Sequence, residues 1–510
     1  MWLLGWGWPR VFLWVPAGML AAGLGAVSAT MYALLAGLTL PTQRALTMVL
    51  VLLAGLLLRR FWSLSHSLAV ALVAVLLLDP LAGLSPGFWL SFGAVALIGL
   101  MVGRRLKREG MITTALRIQL GLALGLLPLT ASLFGMAFWV APLANLLAVP
   151  LVSLVVVPLI LCGLLGLWLH ESIAVLCWQL AASVLQGLMT VLDGLASWQH
   201  AVVYLPERPW GWTLLALAGM AVLLLPRGWP GRWLGMPLLA TVLLWRPAAV
   251  PEGGFRLTVL DVGQGLASVV QTANHTLVFD AGPGRPEGFD AGASVLLPWL
   301  RAQGLAQVDT LLISHADQDH SGGAAALLNT LPVARVVAAE AGLLAVREAA
   351  PCTDQASWSW EGVQFRVLQA QSDFGKSSRN NRSCLLQVTN QAHRVLLTAD
   401  IERAAEYSLV REYGEGLQAE VLLVPHHGSK TSSSPPFLKR VQPQLALVAS
   451  GYRNRFGHPH PEVMQRYQDW GIAVLGTVEN GALTLEFSAD EAGAPVVARY
   501  REQVRRFWHQ

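Results

Sequence analysis

Ser314-His315-Ala316-Asp317-Gln318-Asp319-His320-Ser321-Gly322-Gly323 decides how the second half of this chain is read. Two imidazoles and two carboxylates fall within six residues, directly after the apolar run Val308-Asp-Thr-Leu-Leu-Ile313. Such a run predicts a strand, and the loop leaving it brings several ligand-type side chains together without a large ordering cost. Imidazole and carboxylate at this density suit one or two divalent cations. Gly322 and Gly323 read as a tight backbone turn that starts a helix beside the loop.

Other loops repeat the pattern of an apolar strand ending in a ligand-type residue. Phe255–Asp261 alternates and ends in Asp261-Val-Gly-Gln-Gly265, and His275–Asp280 ends in Asp280-Ala-Gly282. Val395-Leu-Leu-Thr-Ala-Asp400 delivers a carboxylate, and Val421-Leu-Leu-Val-Pro-His426-His427-Gly428-Ser429 delivers two imidazoles. Arg453–Pro461 adds His458. Further strands are expected at 267–272, 363–369, 384–389, 394–399, 419–424, 444–449 and 473–477, and helices at 291–303, 321–330, 402–413, 435–441 and 462–470. Helices interleaved with β-rich runs over this length predict helices packed outside two stacked sheets, with the loops gathered at one edge.

The first half is different in kind. Of 31 acidic residues, only Asp79, Glu109, Glu171, Asp193 and Glu207 precede residue 251. Apolar runs near 11–38, 45–58, 64–81, 86–103, 115–134, 137–169, 173–197, 210–225 and 233–245 read as nine spans, the second and last short enough to be re-entrant. The division expected is a polytopic membrane domain over 1–246, a Pro/Gly linker over 247–254 and a soluble domain over 255–510. Arg59-Arg60, the basic run 104–108 and Arg227…Arg232 fall on one side of the nine-span reading, which makes that side cytoplasmic and places the soluble domain on the outer face. Leu40-Pro41-Thr42-Gln43-Arg44 is read either as a broken helix lining a water-filled path or as a plain loop. A net charge of +4 does not by itself argue for nucleic acid, and the four cysteines do not suggest a disulfide framework.

The soluble half resembles the metallo-β-lactamase fold through His315-Ala-Asp-Gln-Asp-His320, Asp261–Gly265, Asp280–Gly282, Leu397–Asp400, His426–Ser429 and Gly457-His-Pro459. With the preceding membrane half, where Tyr32–Gly37 and Pro41…Arg44-Ala45 carry the likeness, the chain resembles the ComEC family of competence proteins. The expected fold is an α-helical polytopic membrane domain followed by an α/β αββα sandwich. The resemblance implies an inner-membrane protein that takes up DNA in natural transformation. It would form a channel for one strand, hydrolyse phosphodiesters of the other, and work among membrane lipid and other competence proteins. Alternatives are a transport or binding module whose lactamase-like domain is a scaffold without catalysis, and a membrane-anchored phosphoesterase with no transport role. Relatives carry further N-terminal spans and an OB-like domain, so the chain is expected to be an N-terminally truncated form. Leu266 stands where the family has Asp, and Thr398-Ala399-Asp400 where it has Thr-Gly-Asp.

The same resemblance implies two divalent metal ions. His315 and Asp317 would hold one, Asp319 and His320 the other, with Asp400 bridging and His426 completing the second site, His427 being the competing choice. Asp at position 317, where zinc-type loops have His, favours Mn²⁺ or Mg²⁺ and leaves Zn²⁺ open. Asp319, Asp400 and His458 are the expected catalytic residues, His458 through phosphate contact or protonation of the leaving oxygen. Asp261 and Asp280 are expected to orient ligands. Asn381, Ser383 and Arg44 are the remaining candidates for substrate contact.

Overall fold

Leu, Ala and Val dominate the first 246 residues, and in lipid such a chain satisfies its backbone by coiling into helices. The computed structural model describes all residues except 1–15, 61, 104–109, 199–200, 226–227, 286, 341–348, 353–356, 372–378, 490–492 and 506–510. The start of the first expected span, the basic run 104–108 and Arg227 therefore lie outside the described residues. The described part contains helices α1 (Ala17–Leu35), α2 (Leu40–Leu57), α3 (Leu64–Leu78), α4 (Pro86–Gly103), α5 (Met111–Phe134), α6 (Ala141–Gly166), α7 (Glu171–Ala196), α8 (Trp210–Leu223) and α9 (Gly235–Leu244). Among them α1, α2, α5, α6 and α7 are long and apolar enough to cross a membrane, and the others are shorter apolar helices. At 1.5 Å per residue, the 10 residues of α9 reach about 15 Å, half the hydrocarbon thickness.

Two sequence expectations change here. The second span is not short, because its helix already begins at Leu40. Pro41 sits in the first turn, where a missing N–H costs nothing. The stretch Leu40–Arg44 is thus a helix start, neither a break nor a loop. Strand β1 (Met136–Phe138), after α5, pairs antiparallel with β2 (Val202–Tyr204), after α7, so these two helices end on the same side.

Residues 247–510 form a second compact unit. An eight-stranded sheet contains β3 (Phe255–Val259), β4 (Ala267–Gln271), β5 (Thr276–Ala281), β6 (Val308–Ile313), β7 (Val333–Ala338), β8 (Ala350–Pro351), β16 (Leu483–Phe487) and β17 (Val496–Arg499), in the order β17-β16-β3-β4-β5-β6-β7-β8. A seven-stranded sheet, β15-β14-β13-β12-β11-β10-β9, is made of β9 (Ser357–Trp360), β10 (Val363–Leu368), β11 (Leu385–Thr389), β12 (Arg394–Leu397), β13 (Val421–Leu423), β14 (Leu445–Val448) and β15 (Ala473–Gly476). Period-two alternation sorts each strand's side chains. Leu257, Phe279 and Leu312 meet Phe365, Leu386 and Leu397 between the sheets. Val278, Leu311 and Ile313 point the other way onto α10 (Leu297–Ala302) and α12 (Ala324–Thr330), which flank the short α11 (Gln318–Ser321) in sequence. Leu396 and Leu422 pack on α13 (Arg403–Tyr413), α14 (Pro435–Val441) and α15 (Pro461–Asp469). The result is the αββα sandwich.

Within the sandwich, strands β7, β8, β9, β16 and β17 were not read from the sequence, and β16 is the one that seats β3 inside its sheet. Gly322 and Gly323 form the expected turn between α11 and α12, with Gly323 at the N-cap of α12, but the turn does not need glycine's conformational freedom. Gly322 has φ −59° and Gly323 φ −79°, values any residue adopts. What they supply is close approach, since a Cβ on Gly322 would lie 2.2 Å from Gly284 N and one on Gly323 2.3 Å from Ala281 O. Cys352 and Cys384 are joined by a disulfide with Cα atoms 6.2 Å apart, closing 32 residues and stapling the end of β8 to the start of β11. Spacing alone does not reveal such a pairing.

Candidate metal centre

The parallel strands β5, β6, β12 and β13 all deliver their C-terminal ends to one edge of the sandwich. Asp280 closes β5 with φ 59°. Its buried carboxylate accepts from Ser314 N–H, from Ser314 Oγ and from His320 Nδ1, each at 2.7 Å. A carboxylate only accepts, so His320 carries its proton on Nδ1 and turns Nε2 into the site. Likewise His427 donates from Nδ1 to Ala449 O at 2.7 Å, which turns its Nε2 inward. The two Nε2 atoms face each other at 3.3 Å. Asp400 Oδ1 lies 3.2 Å from His320 Nε2 and 3.5 Å from His427 Nε2, and Asp319 Oδ2 is 3.5 Å from His427 Nε2.

Asp319, His320, Asp400 and His427 thus offer one ligand atom each within 4.8 Å of one another. Two imidazole lone pairs this close, beside a buried carboxylate oxygen, repel unless positive charge sits among them. His315 Nε2 is also buried without a hydrogen-bond partner. The donor set of imidazoles and carboxylates fits a divalent cation. Without one, protons take its place. Burial drives His320 down, but Asp400 and Asp280 carry it well above the ordinary imidazole value. Burial raises Asp400, yet His320 and His427 hold it well below the usual carboxylate range. Burial raises Asp319 too, and the hydrogen bond from His427 reverses that. His315 falls to about 4 through burial and the neighbouring His320.

The adjacent histidines divide their roles by backbone geometry. His426 has φ 50° and His427 φ 54°, so successive side chains leave a left-handed turn in different directions. His427 enters the compact group, whereas His426 stands at its rim. There His426 Nε2 is 3.8 Å from Asp400 Oδ2 and Nδ1 is 3.5 Å from Glu402 Oε1. Asp317 is half-exposed, 3.7 Å from His315 Nε2 and 3.7 Å from Arg379 Nη1. The His458 ring lies 5.6 Å from that of His426, and burial together with His426 and His427 lowers its pKa to about 4.

Asp280 occupies the position expected of a ligand-orienting residue, but Asp261 does not. Asp261 pairs with Arg501 at 3.1 Å and accepts from Gly263 N–H at 3.3 Å. Its loop supports the centre through the main chain instead, with Leu266 N–H donating to Asp319 O at 3.0 Å. Leu266 itself is buried. Asn381 Oδ1 accepts from Glu402 N–H at 3.0 Å and Ala405 N–H at 3.3 Å, so it caps α13. Ser383 is fully buried, and Arg44 belongs to the helical unit. Glu402 and Arg379 were missed in the sequence. Glu402 was findable as a second acid two residues beyond Asp400, while nothing near Arg379 marks it.

Residues 1–230 match the family model "Competence protein" and residues 260–452 match "Metallo-beta-lactamase superfamily". The chain is 37% identical to competence protein ComA of Neisseria gonorrhoeae, over 98% of this chain and 69% of that one. It is 30% identical to recombination protein 2 of Haemophilus influenzae, over 91% of this chain and 63% of that one, so it spans about two thirds of these relatives. Among solved structures, CmlA, a diiron β-hydroxylase from Streptomyces venezuelae, aligns at TM-score 0.31 and 15% identity, over 56% of this chain and 64% of that one. The chain belongs to the competence protein family of ComA and recombination protein 2, with a metallo-β-lactamase domain as its second half.

Proposed function

We propose that this protein acts in DNA uptake at the inner membrane, the helical unit 1–246 passing one strand and the sandwich 255–510 hydrolysing phosphodiesters of the other. The observation that carries the hydrolase reading is the convergence of Asp319, His320, Asp400 and His427 around two facing imidazole nitrogens. The names of the relatives, a competence protein and a recombination protein, support the DNA substrate.

Asp319, His320, His427 and Asp400 would hold one cation, and His315 and Asp317 would hold a second that shares Asp400. Mn²⁺ or Mg²⁺ suits the extra carboxylate at position 317, with Zn²⁺ also compatible. Such a pair supplies water activation and charge neutralisation at the phosphate. The chain's own groups do the rest. Asp280 and the Ala449 carbonyl fix which nitrogens face inward. His426, exposed Arg379 and His458 line the rim, where a phosphate oxygen would be bound. His458 is neutral near pH 7, so it meets the phosphate as a hydrogen-bonding imidazole unless the substrate's charge raises it.

The outer face is the proposed location of the sandwich. Basic clusters mark the opposite side, and the disulfide Cys352–Cys384 suits an oxidising compartment. Nine crossings, one for each of α1–α9, carry the chain from the basic side to the outer face. The test is Mn²⁺-dependent cleavage of linear DNA by the full chain in detergent. Cleavage lost in Asp319→Ala and Asp400→Asn, with the fold intact, is expected. Absence of bound metal and of cleavage in the unsubstituted protein refutes the hydrolase. Unchanged import of labelled DNA in cells lacking the protein refutes the channel.

A further inference from the structure

Arg44 lies one turn inside the N-terminus of α2, only 8% exposed. Its Nε is buried without a hydrogen-bond partner, and no ion pair joins it to any described residue. The guanidinium is laid over the first turn of α4, where a Cβ on Gly87 would sit 2.8 Å from Nη2 and 3.2 Å from Nη1. The positive ends of two 18-residue helices therefore surround a buried cation. That arrangement calls for an anion.

The same cleft has an opposite pole. Asp79 lines it together with Gln43, Arg44, Thr47 and Ser85. Asp79 is the C-cap of α3, where the negative end of the helix and a carboxylate together call for a cation. One of its oxygens accepts from Leu81 N–H at 3.0 Å, but Asp79 and Arg44 do not pair with each other. The next row of α2 (Pro41, Ala45, Met48, Val49 and Leu52) lines an apolar groove of about 360 Å³ shared with α3 and α4. The three helix ends that meet at the cleft are ends of apolar helices, and it is at the ends of spanning helices that a membrane places its headgroups.

We propose that this cleft binds a zwitterionic phospholipid of the phosphatidylethanolamine class. Its phosphate lies on Arg44 and the two helix N-termini, its ammonium on Asp79, and one acyl chain fills the groove. A DNA strand offers the phosphate but neither the ammonium nor a chain for an apolar groove, so the lipid is the better match. This inference stands apart from the metal centre and from the channel reading.

Native mass spectrometry of the full chain in detergent tests it, with phosphatidylethanolamine and phosphatidylglycerol titrated separately. The unsubstituted protein is expected to hold one phosphatidylethanolamine at least tenfold more tightly than phosphatidylglycerol. Arg44→Gln should weaken both at least tenfold. Asp79→Asn should abolish the preference while phosphatidylglycerol binding persists, and that persistence shows the variant is folded. Equal binding of the two lipids, a preference that survives Asp79→Asn, or undiminished binding by Arg44→Gln each overturns the proposal. So does stoichiometric displacement of the lipid by a single-stranded oligodeoxynucleotide, which would assign the cleft to nucleic acid.

Discussion

Replacing Asp280 by Asn probes the centre without touching a proposed ligand. The carboxylate offers two acceptor atoms to three donors: Ser314 N–H and Ser314 Oγ, and His320 Nδ1. An asparagine keeps one acceptor and gains a donor. If its NH₂ replaces Oδ1, it opposes the Ser314 backbone N–H, which has no way to rearrange. The amide therefore points its NH₂ at Ser314 Oγ and His320 Nδ1. The hydroxyl can rotate to accept, but the imidazole must move its proton to Nε2, facing His427 Nε2 only 3.3 Å away. Loss of that lone pair should cost tenfold to hundredfold in metal affinity, about 1.4–2.7 kcal/mol, and the strained amide about 1–3 kcal/mol in stability. Asp261→Asn is the matched control. Its pair with Arg501 is partly exposed, so the loss should stay within about 1 kcal/mol with no change in metal binding. Mn²⁺ titration followed by electron paramagnetic resonance reads both variants. Asp280→Asn binding Mn²⁺ within twofold of the unsubstituted protein would refute the tautomer argument, as would an equal loss in Asp261→Asn.

Three further outcomes are expected. His427→Ala should lower Mn²⁺ affinity more than tenfold, whereas His426→Ala should keep the metal within about threefold and slow cleavage; equal losses would mean that the pair is not divided between centre and rim. In the metal-free chain, His320 with its raised pKa stabilises fully below about pH 6.5 and loses that contribution as pH rises through the folded value. His315, held to about 4, acts in the other direction, because the unfolded chain takes up a proton between about 6.5 and 4 that the folded chain refuses. The melting temperature in chelator should therefore peak near pH 6.5 and move to higher pH with Mn²⁺, and a metal-free value that climbs from pH 7 to 9 counts against this. Replacing Cys352 and Cys384 by Ser should destabilise the sandwich by about 3–4 kcal/mol, given the 32-residue loop they close, and finding them reduced in cells would argue for the cytoplasmic face.

The sandwich was legible in the sequence because strand alternation and strand-end ligands report on each other. Leu277 and Phe279 face the second sheet while Val278 faces the helices, a period of two that is visible without coordinates. What stayed hidden depends on φ or on contacts distant in sequence. No local pattern says that His427 rather than His426 turns inward, because the choice is made by two left-handed residues and by the carbonyl of Ala449, 22 residues on. Asp261 and Asp280 look alike as strand-end acids, yet only Asp280 meets a histidine, since β5 lies beside β6 and β3 does not. In the membrane half, composition located the helices, but only the fold reveals that Arg44 packs on Gly87.

Ala399 shows how a local departure from the family pattern is absorbed. The family resemblance leads one to expect glycine at this position, and the structure offers a physical reason: φ is 48°, a left-handed conformation that costs a non-glycine residue about 1–2 kcal/mol. Ala399→Gly would remove that cost. It would also lose a methyl buried between the sheets, about 0.8 kcal/mol, and loosen the unfolded chain by about 0.4–1 kcal/mol. The terms cancel to within about 1 kcal/mol, so the melting temperature should hardly move and Mn²⁺ affinity should not change. Ala399→Val is a different case, because a β-branched residue is a real outlier at positive φ. Relieving it means swinging a peptide whose carbonyl receives His426 N–H at 2.9 Å and whose successor is Asp400. The valine variant should therefore lose metal affinity as well as stability. Should it melt lower yet bind Mn²⁺ as tightly as the unsubstituted chain, the left-handed kink does not aim the Asp400 carboxylate.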